Sequence, residues 1–284
     1  MKTEDITQHL NTYPRLSPVL SQKEFTGKSI IITGGGYGIG PGIARSFAQA
    51  GAAEVILVGR TKSKLQATAK ELSSFKDTKF SYQVADISSE TDVVKLFGAL
   101  TTSPDILINN AGFLPTPANF IDADLKEFWE GFTTNVYGTA LFTQTYLRHR
   151  QELKTSTTPP AVVATLNTIG AYSVRVPNLS AYGASKAALA RWSELISVDI
   201  PDTTARFISV HPGAVKTDMG AKSGLEGAFP ATDITLASDF IVWATSDEAK
   251  FLSGRFAWVN WDVDELIAGR EEILEKDLFR TSLS

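Results

Sequence analysis

The sequence predicts an α/β fold in which a doubly wound parallel sheet carries helices on both faces. From Ser29 onward, short apolar runs alternate with amphipathic helical stretches, which is typical of strands joined by crossover helices. The runs are short, β-branched and apolar on both faces, as the buried strands of a parallel sheet are. No linker rich in glycine, proline or serine divides the 284 residues, so we interpret the chain as one domain.

Seven strands and six helices are predicted along the chain. The strands are predicted at residues 29–33, 55–58, 80–84, 106–108, 161–166, 206–211 and 255–259. The helices are predicted at residues 39–50, 62–72, 90–100, 125–149, 181–199 and 231–245. Residues 1–27 are polar and lack a sustained period, so we expect an N-terminal arm, then the domain at 28–262 and a C-terminal tail at 263–284.

The composition excludes several classes of protein. The 27 basic and 31 acidic residues are spread through the sequence and leave a net charge of −4, without a basic stripe for nucleic acid or a polybasic patch for lipid headgroups. No segment approaches the ~20 apolar residues of a membrane span, and the start of the chain does not resemble a secretory signal. We therefore expect a soluble, cytoplasmic protein that binds neither nucleic acid nor a membrane.

A metal centre is not expected either. The chain has no cysteine, which excludes disulfides, thiolate metal ligands and a cysteine nucleophile. Its three histidines, His9, His149 and His211, do not stand in a spacing typical of metal ligands. We expect surface or structural roles for them.

The loop after the first strand is typical of dinucleotide binding. Thr33-Gly-Gly-Gly-Tyr-Gly-Ile-Gly40 leads directly into a predicted helix, and its glycines let the backbone turn tightly and let a pyrophosphate approach the positive helix end. Three residues separate Gly34 from Gly38, so the spacing differs from the common G-x-G-x-x-G pattern. A P-loop is excluded, because Gly27-Lys-Ser29 precedes the strand and position 22 is glutamine.

The turn after the second predicted strand favours NADP over NAD. An NAD site usually places a carboxylate there against the ribose hydroxyls, whereas a 2′-phosphate requires a cation. In Val58-Gly-Arg-Thr-Lys62 a glycine stands where the acid would be, and Arg60 follows it. Arg60 is therefore predicted to bind a phosphorylated ribose, with capping of a solvated turn as its alternative role. Tyr37 in the glycine loop is neutral where a second cation would help.

Polar residues also follow the third and fourth predicted strands. Asp86 is placed either to hydrogen-bond an adenine edge or to cap the helix from Glu90. Asn110, in Asn109-Asn-Ala-Gly112, belongs either to a turn that allows close approach to the central part of a dinucleotide or to a plain asparagine-glycine turn. Both residues are candidates for cofactor binding.

Tyr182 and Lys186 form a candidate proton-transfer pair. They lie four residues apart in Ser180-Ala-Tyr-Gly-Ala-Ser-Lys-Ala-Ala-Leu189, which places a phenol and an ammonium on one face of a predicted helix. A tyrosine with its usual pKa of about 10 is a poor acid or base at neutral pH, and a nearby cation lowers that pKa. Lowering it by roughly 3 takes about 4 kcal/mol, to which Lys186 and a nicotinamide ring would contribute.

Together these motifs resemble those of the short-chain dehydrogenase/reductase family. TGGGYGIG, NNAG, YGASK and HPGAVKT occur in the expected order and spacing within residues 26–262. The resemblance implies a single Rossmann-type domain with a seven-stranded parallel sheet, and hydride transfer between a nicotinamide and a carbonyl or alcohol. The segment 256–264 and the arm before the first strand are similar to those of filamentous-fungal members, which implies a role in secondary metabolism.

The resemblance also implies roles for single residues. Tyr182 matches the acid/base of the family, and Lys186 matches its partner, which also holds the nicotinamide ribose. Asn135 matches a helix asparagine that anchors a water molecule in the proton relay. Further cofactor contacts are expected from the glycine loop and the HPGAVKT segment, at Gly34, Gly38, Ile39, Gly40, Val215 and Thr217.

One position departs from the family pattern. A serine usually follows the fifth strand, whereas this chain has Thr165-Leu-Asn-Thr-Ile-Gly170. The usual spacing from Tyr182 leads to Ile169, and one inserted loop residue places Thr168 there instead. We assign Thr168, because its hydroxyl can hydrogen-bond and polarise the substrate oxygen. If the third catalytic group is displaced or absent, activity would be reduced or lost.

The predicted activity is NADP(H)-dependent interconversion of a ketone or aldehyde and an alcohol, with Tyr182 as acid/base. Tyr172, Val174, Phe113 and residues 219–229 are expected to wall the substrate site, and their apolar character favours a hydrophobic or polyketide-like ketone. The alternative is a catalytically weak or inactive NADP-binding scaffold of the same fold. The resemblance implies a homodimer or homotetramer formed through the fourth and fifth helices.

Overall fold

Parallel strands form the centre of the molecule. The computed structural model describes residues 3–156 and 158–281. Its strands are β1 (Ser29–Thr33), β2 (Glu54–Gly59), β3 (Lys79–Val84), β4 (Ile106–Asn109), β5 (Ala161–Leu166), β6 (Ala205–His211), β7 (Ala214–Val215), β8 (Ala231–Thr232) and β9 (Arg255–Trp258). Seven of them form one parallel sheet with the order β3-β2-β1-β4-β5-β6-β9, and β7 pairs with β8 outside it.

Helices connect these strands and cover the sheet. The α-helices are α1 (Gln22–Phe25), α2 (Gly40–Gln49), α3 (Lys62–Leu72), α4 (Glu90–Gly98), α5 (Leu125–Phe132), α6 (Thr139–Glu152), α7 (Ser180–Asp199), α8 (Asp218–Lys222), α9 (Ile234–Thr245), α10 (Val263–Ala268) and α11 (Arg270–Glu275). A π-helical segment, Thr133–Gly138, joins α5 to α6.

The doubly wound Rossmann-type sheet predicted from the sequence is confirmed. Each of the seven predicted strands is present and agrees with its predicted range to within one residue at either end. The strand order reverses between β1 and β4, and such a switch point opens a crevice at the carboxyl ends of the strands.

Both faces of the sheet are buried, as the apolar strands require. In β1, Ile30 and Ile32 pack with Phe47 of α2 and Phe240 of α9 in one apolar cluster. Ile31, between them, points to the opposite face and belongs to a second cluster with side chains of α4 and α6. This alternation follows from the two-residue period of a strand, and it explains why the strands lack polar positions.

Two helix predictions were wrong in detail. The single helix expected at 125–149 is divided by the wide turn Thr133–Gly138, whose presence the apolar spacing does not indicate. The helix expected at 231–245 begins only at Ile234, because Asp233 accepts a hydrogen bond from the backbone N–H of Thr235 and caps the helix there. The two residues before Asp233 form β8 instead.

The N-terminal arm packs along the domain and does not extend into solvent. Ile6, Leu16 and Phe25 are buried in the same apolar cluster as the first face of the sheet. The predicted tail contains α10 and α11. Residues 1–2 of the predicted arm and 282–284 of the predicted tail lie outside the described residues. Within the described ranges, none of the helices combines the length and apolar composition needed to cross a bilayer.

Candidate active site

The glycine loop between β1 and α2 has a backbone that only glycine fits. Gly34 and Gly38 have φ angles of 65° and 62°, in the left-handed region. A Cβ on Gly34 would lie 2.8 Å from Nδ2 of Asn110, and a Cβ on Gly40 would overlap the carbonyl oxygen of Gly34. The loop therefore presents bare backbone at the N-terminus of α2, which suits an anionic pyrophosphate.

Asn110 and Thr33 hold this loop against the end of β4. Nδ2 of Asn110 donates hydrogen bonds of 3.0 Å to the carbonyl oxygens of Thr33 and Gly34. The Thr33 hydroxyl accepts hydrogen bonds from the backbone N–H groups of Asn110 and Ala111, both at 3.0 Å. Asn110 thus supports the loop through its side chain. Thr33 has no sequence signal of its own beyond its position as the last residue of β1.

Arg60 and Asp86 stand side by side after β2 and β3. Arg60 Nη1 lies 3.7 Å from Asp86 Oδ2, and the Arg60 side chain is 58% exposed. Burial opposes ionisation of Asp86, but hydrogen bonds from Ser88 and the Arg60 charge hold its pKa below the usual value. Asp86 does not cap α4. Ser89 does, by accepting a hydrogen bond from the backbone N–H of Asp92, so the capping alternative for Asp86 is wrong.

A lysine of α3 lies beside the glycine loop. Lys64 Nζ lies 4.4 Å from the centroid of the Tyr37 ring. A Cβ on Gly36 would lie 3.1 Å from the backbone nitrogen of Leu65, so the first turn of α3 packs directly against the loop. Lys64 therefore carries positive charge to the loop. The sequence spacing gives no sign of Lys64, because α3 reaches the loop only through the tertiary packing.

Tyr182 and Lys186 lie on the first two turns of α7. Lys186 is buried, and its Nζ donates a hydrogen bond of 2.9 Å to the carbonyl oxygen of Leu166 at the end of β5. Burial lowers the pKa of Lys186 to about 8 and raises the pKa of Tyr182 to about 12. Burial is the cause of this raised pKa of Tyr182 in the protein alone, and its lowering by Lys186 together with a nicotinamide ring stays a prediction.

Asn135 lies in the π-helical segment and ties three parts of the site together. It is fully buried, its Oδ1 accepts a hydrogen bond of 2.8 Å from the backbone N–H of Phe113, and its Nδ2 donates to the Phe113 carbonyl oxygen and to Ser185 Oγ, both at 2.9 Å. Ser185 Oγ in turn donates to the carbonyl oxygen of Tyr182. Both amide hydrogens of Asn135 are thus engaged, so its side chain can hold a relay water only through Oδ1.

The loop after β4 completes this arrangement. A Cβ on Gly112 would lie 3.4 Å from Asn135 Oδ1, 3.7 Å from Lys186 Nζ and 3.8 Å from Met219 Cε. The glycine of the NNAG segment therefore faces the lysine and the asparagine that the sequence places far away. Ser185, which joins α7 to Asn135, lies inside the YGASK segment and was identifiable as a polar side chain between Tyr182 and Lys186.

Thr168 and Tyr182 line one cavity of about 1110 Å³ at the carboxyl ends of β5 and β6. Thr168 Oγ1 accepts a hydrogen bond of 3.2 Å from the backbone N–H of Gly170 and begins the short 3-10 turn Ile169–Ala171. Its hydroxyl hydrogen remains available to a substrate oxygen. Ile169, the alternative from strict spacing, also lines the cavity but carries no polar group.

Residues predicted from the glycine loop, the HPGAVKT segment and the expected substrate walls line the same cavity. Ile39, Val215 and Thr217 line it, and Thr217 Oγ1 caps α8 by accepting a hydrogen bond from the backbone N–H of Gly220. The residues that line it between positions 219 and 229 are Met219, Gly220, Ala221, Ser223, Leu225, Glu226, Gly227 and Phe229. Val174 lines it as well.

Two expected walls of the cavity are not part of its lining. The Tyr172 hydroxyl accepts a hydrogen bond of 2.6 Å from Trp258 Nε1, and it is Trp258 that lines the cavity. Phe113 faces Lys222, whose Nζ lies 5.2 Å from the ring centroid. Trp258, at the end of β9, therefore contributes an aromatic ring from a part of the chain that is distant in sequence from the candidate catalytic residues.

The three histidines have separate surroundings. His9 Nε2 lies 2.8 Å from Asp262 Oδ2, and His149 Nε2 lies 3.1 Å from the carbonyl oxygen of Leu100. His211 lines the cavity, and burial lowers its pKa to about 3. Within residues 3–156 and 158–281, no group of three or more histidines and carboxylates is arranged to hold a metal ion.

Comparison with known proteins shows the family. The model of the short chain dehydrogenase family matches residues 28–226. The short chain dehydrogenase citE of Monascus ruber is 32% identical over 288 residues, covering 97% of this chain and 94% of the relative. The short chain dehydrogenase/reductase AacuD of Aspergillus aculeatus is 31% identical over 282 residues, covering 97% of this chain and 94% of the relative.

Solved structures share the fold. A 3-ketoacyl-(acyl-carrier-protein) reductase from Brucella melitensis, complexed with NADH, is 26% identical with a TM-score of 0.71 and covers 83% of this chain and 98% of its own. A short chain dehydrogenase from Shigella flexneri, complexed with NADP, is 22% identical with a TM-score of 0.74, covers 84% of this chain and 99% of its own, and shows likeness of fold alone. With its Rossmann-type sheet and this match over most of its length, the chain belongs to the short-chain dehydrogenase/reductase family of NAD(P)-dependent oxidoreductases.

Proposed function

We propose that this protein reduces a ketone to an alcohol with NADPH, or oxidises the alcohol in the reverse direction. One observation carries the proposal: Tyr182 and Thr168 line the same cavity, and Lys186 is buried one helical turn beyond Tyr182. Bound NADPH would supply the hydride that the carbonyl carbon accepts. The protein has to bind the carbonyl oxygen and protonate it as its negative charge develops.

Tyr182 is the proposed proton donor to that oxygen. With a pKa of about 12 it is protonated at neutral pH, which is the form that reduction requires. Lys186 holds its ammonium in place by donating to Leu166, and two further N–H groups remain for the nicotinamide ribose and for the tyrosinate that forms. An oxidised nicotinamide, which is positively charged, would favour the ionised phenol, so the pKa of about 12 describes the protein without that cofactor.

Thr168 is proposed to orient the carbonyl group. Its Oγ1 already accepts a hydrogen bond from Gly170, which leaves the hydroxyl hydrogen as the donor toward the substrate oxygen. A fixed donor at this position stabilises the negative charge that develops in the transition state. In this arrangement threonine serves in place of the usual serine, and Asn135 supports the site by joining Phe113 to the helix that carries Tyr182.

NADP is the proposed cofactor. Arg60 is more than half exposed and its 3.7 Å contact with Asp86 exceeds hydrogen-bond length, so its guanidinium donors remain available to a 2′-phosphate. Lys64 adds a second cation beside the glycine loop. The carboxylate that usually binds the ribose hydroxyls of NAD is replaced by Gly59. Asp86 is proposed to contact the adenine edge.

The proposed substrate is an apolar ketone of fungal secondary metabolism. The cavity is large, with Val174, Leu225, Phe229 and Trp258 among its lining residues. Similarity over nearly the whole chain to relatives from Monascus and Aspergillus supports a fungal source. A cytoplasmic location belongs to this proposal.

A homodimer or homotetramer is also proposed. Leu125 and Trp129 on α5 are 56% and 62% exposed, and Leu195 and Val198 on α7 are 51% and 73% exposed. Apolar side chains on these two helices provide a surface for a second copy, because exposed apolar clusters mark sites of association.

Turnover of a ketone panel with NADPH and with NADH tests the proposed activity. We expect loss of the nicotinamide absorbance with apolar ketones, faster with NADPH. Tyr182→Phe should lower kcat by at least about 100-fold, because it removes the proton donor and keeps the ring. Tyr82→Phe, on β3 away from the cavity, is the matched control and should retain activity. Undiminished turnover by Tyr182→Phe would contradict the mechanism.

The departure of Thr168 from the usual serine supports a second candidate, an NADP-binding scaffold with little or no activity. Fluorescence titration with NADPH separates the two. Binding without turnover across aliphatic, aromatic and polycyclic ketones identifies the scaffold, whereas binding with turnover identifies the enzyme.

A further inference from the structure

The N-terminal arm reaches the candidate active site. Gln8 and Leu10 line the same cavity as Tyr182 and Thr168, although more than 150 residues separate them in sequence. Resting on the proposed function, we infer that the arm is a part of the substrate-binding site, and that Gln8 and Leu10 select for a large, uncharged polycyclic ketone. Neither residue belongs to a motif identified in the sequence.

Backbone hydrogen bonds fix the arm where it meets the cavity. Gln8 pairs antiparallel with Trp261, just beyond β9. The backbone N–H of His9 donates a hydrogen bond of 2.7 Å to the carbonyl oxygen of Asn260, and Asn260 Nδ2 donates one of 2.8 Å to the carbonyl oxygen of His9. The backbone N–H of Asp233 donates a hydrogen bond of 2.8 Å to the carbonyl oxygen of Leu10. Backbone hydrogen bonds at Thr7, His9 and Leu10 therefore hold this stretch, with Gln8 opposite Trp261.

Side chains on both sides of this stretch add to the attachment. His9 stacks on Tyr13 at 3.9 Å between ring centroids, and its Nε2 contacts Asp262 at 2.8 Å. Tyr13 accepts a hydrogen bond of 3.0 Å from the backbone N–H of Val263. These contacts hold the arm in one position along the cavity. Gln8 and Leu10 are therefore pre-organised for a ligand, which a freely moving segment would not achieve.

The sheet order sets the size of a substrate that would touch both ends of the cavity. Thr168 follows β5, His211 ends β6 and Trp258 ends β9, and the arm pairs beyond β9. Neighbouring strands lie about 4.8 Å apart, so the distance from β5 to β9 is roughly 10 Å and the arm lies farther still. A ketone held by Thr168 reaches the arm only if it extends by that distance, as a molecule of three or four fused rings does.

The chemistry at this end of the cavity favours an uncharged ring system. Trp258 contributes an aromatic ring, and its ring lies 5.6 Å from that of His211. Nδ1 of His211 is buried without a hydrogen-bond partner, and the low pKa of its ring leaves it neutral. Gln8 adds an amide and Leu10 an apolar side chain. Together they provide neutral hydrogen-bonding groups beside apolar surface, which suits a hydroxyl or carbonyl substituent on a polycyclic ketone.

Arm substitutions should discriminate by substrate size. Leu10→Phe adds bulk and Gln8→Ala removes an amide, and we expect each to lower kcat/KM for progesterone, a four-ring diketone, by at least about fivefold. For cyclohexanone we expect changes within about twofold, with the KM for NADPH also unchanged. Leu20→Phe is the matched control, because Leu20 is 65% exposed on the arm and does not line the cavity. Equal changes for both ketones, or an equal effect of Leu20→Phe, would overturn the inference.

Equilibrium binding decides the inference even if no ketone is turned over. Anthraquinone, a tricyclic diketone, should quench tryptophan fluorescence on binding, and Trp258→Phe should remove most of that quenching. We expect Leu10→Phe to weaken anthraquinone binding by at least about fivefold and Leu20→Phe to leave it unchanged. Absence of binding, or equal binding by both variants, would overturn the role of the arm. Absence of turnover by the unaltered protein, with anthraquinone binding intact, would instead overturn the proposed activity.

Discussion

Replacing Lys186 with methionine should change how the stability of the protein depends on pH. Lys186 is 5% exposed, and burial lowers its pKa from 10.5 to about 8. A lysine whose pKa is lower in the folded state destabilises that state wherever the ammonium is charged. Methionine fills a similar volume without a charge, so the variant lacks this destabilisation at every pH.

The size of the effect follows from the pKa difference. Each pKa unit corresponds to about 1.4 kcal/mol, so the change from 10.5 to about 8 corresponds to about 3 kcal/mol. Below the folded-state value of about 8, lysine is protonated in both the folded and the unfolded chain and the full destabilisation is present. Between about 8 and 10.5 only the unfolded chain keeps the proton, so stability rises with pH. The unaltered protein should therefore gain about 3 kcal/mol relative to Lys186→Met across this window.

Urea unfolding without cofactor, repeated from neutral pH to above the window, measures this gain. Subtracting the free energies of unfolding of the two proteins cancels the contributions of the other titrating groups that they share. The lost hydrogen bond to Leu166 adds a constant that does not change with pH. Lys70→Met, on the exposed face of α3, is the control and should give a nearly constant difference. Parallel curves for the unaltered protein and Lys186→Met would refute the desolvation of Lys186.

Three further predictions follow from single contacts. Arg60→Ala and Lys64→Ala should each raise the KM for NADPH by about tenfold and leave the KM for NADH within about twofold, because each removes a cation from the proposed 2′-phosphate site; initial rates with both cofactors measure this. Arg206→Met should lower the free energy of unfolding by about 2–3 kcal/mol, because the buried guanidinium donates to three carbonyl oxygens at the end of α9. Gly213→Ala should lower it by about 1–3 kcal/mol in urea titrations, because Gly213 has a φ of 76° and a Cβ would overlap the Thr232 hydroxyl.

Matched variants control these three predictions. Lys62→Ala, which removes an exposed lysine at the start of α3, is the control for Arg60 and Lys64. Equal rises in KM for both cofactors in the Arg60 variant would contradict the role of Arg60. Arg191→Met removes a guanidinium that is 56% exposed, and it should lower the free energy of unfolding by less than Arg206→Met does. Gly98 is the last residue of α4, and no atom lies within 4 Å of a Cβ added there, so Gly98→Ala should leave the free energy of unfolding unchanged or raise it. A loss equal to that of Gly213→Ala would contradict the explanation given for Gly213.

The fold was predictable because each strand carries its own signal. Runs such as Ile30 to Ile32 are apolar on both faces and lie between glycine-rich or charged turns, so their burial in a parallel sheet follows from local residues alone. The π-helical turn at Thr133–Gly138 was not predictable, because the apolar spacing through it resembles that of a continuous helix. Within this turn Asn135 forms hydrogen bonds with Phe113 and Ser185, which are distant in sequence and which the spacing along the helix does not report.

The candidate site was predictable to a different degree. Tyr182, Lys186 and the glycine loop stand in short motifs whose spacing reports their geometry, because a helix turn or a tight loop is a local structure. Lys64 and the arm residues were not predictable. They reach the site through the packing of α3 and through pairing beyond β9, and neither contact involves residues near each other in sequence.

The sequence by itself determined the class of sheet, the position of the glycine loop and the phenol-ammonium pair, because short-range periodicity and backbone sterics decide each of them. Only the tertiary structure decided the ionisation of that pair, since burial of Lys186 and Tyr182 depends on what surrounds α7. It also decided the shape of the cavity, where Gln8, Thr168 and Trp258 meet at one edge of the sheet. Desolvation and long-range contact are properties of the folded chain, and residue spacing does not report them.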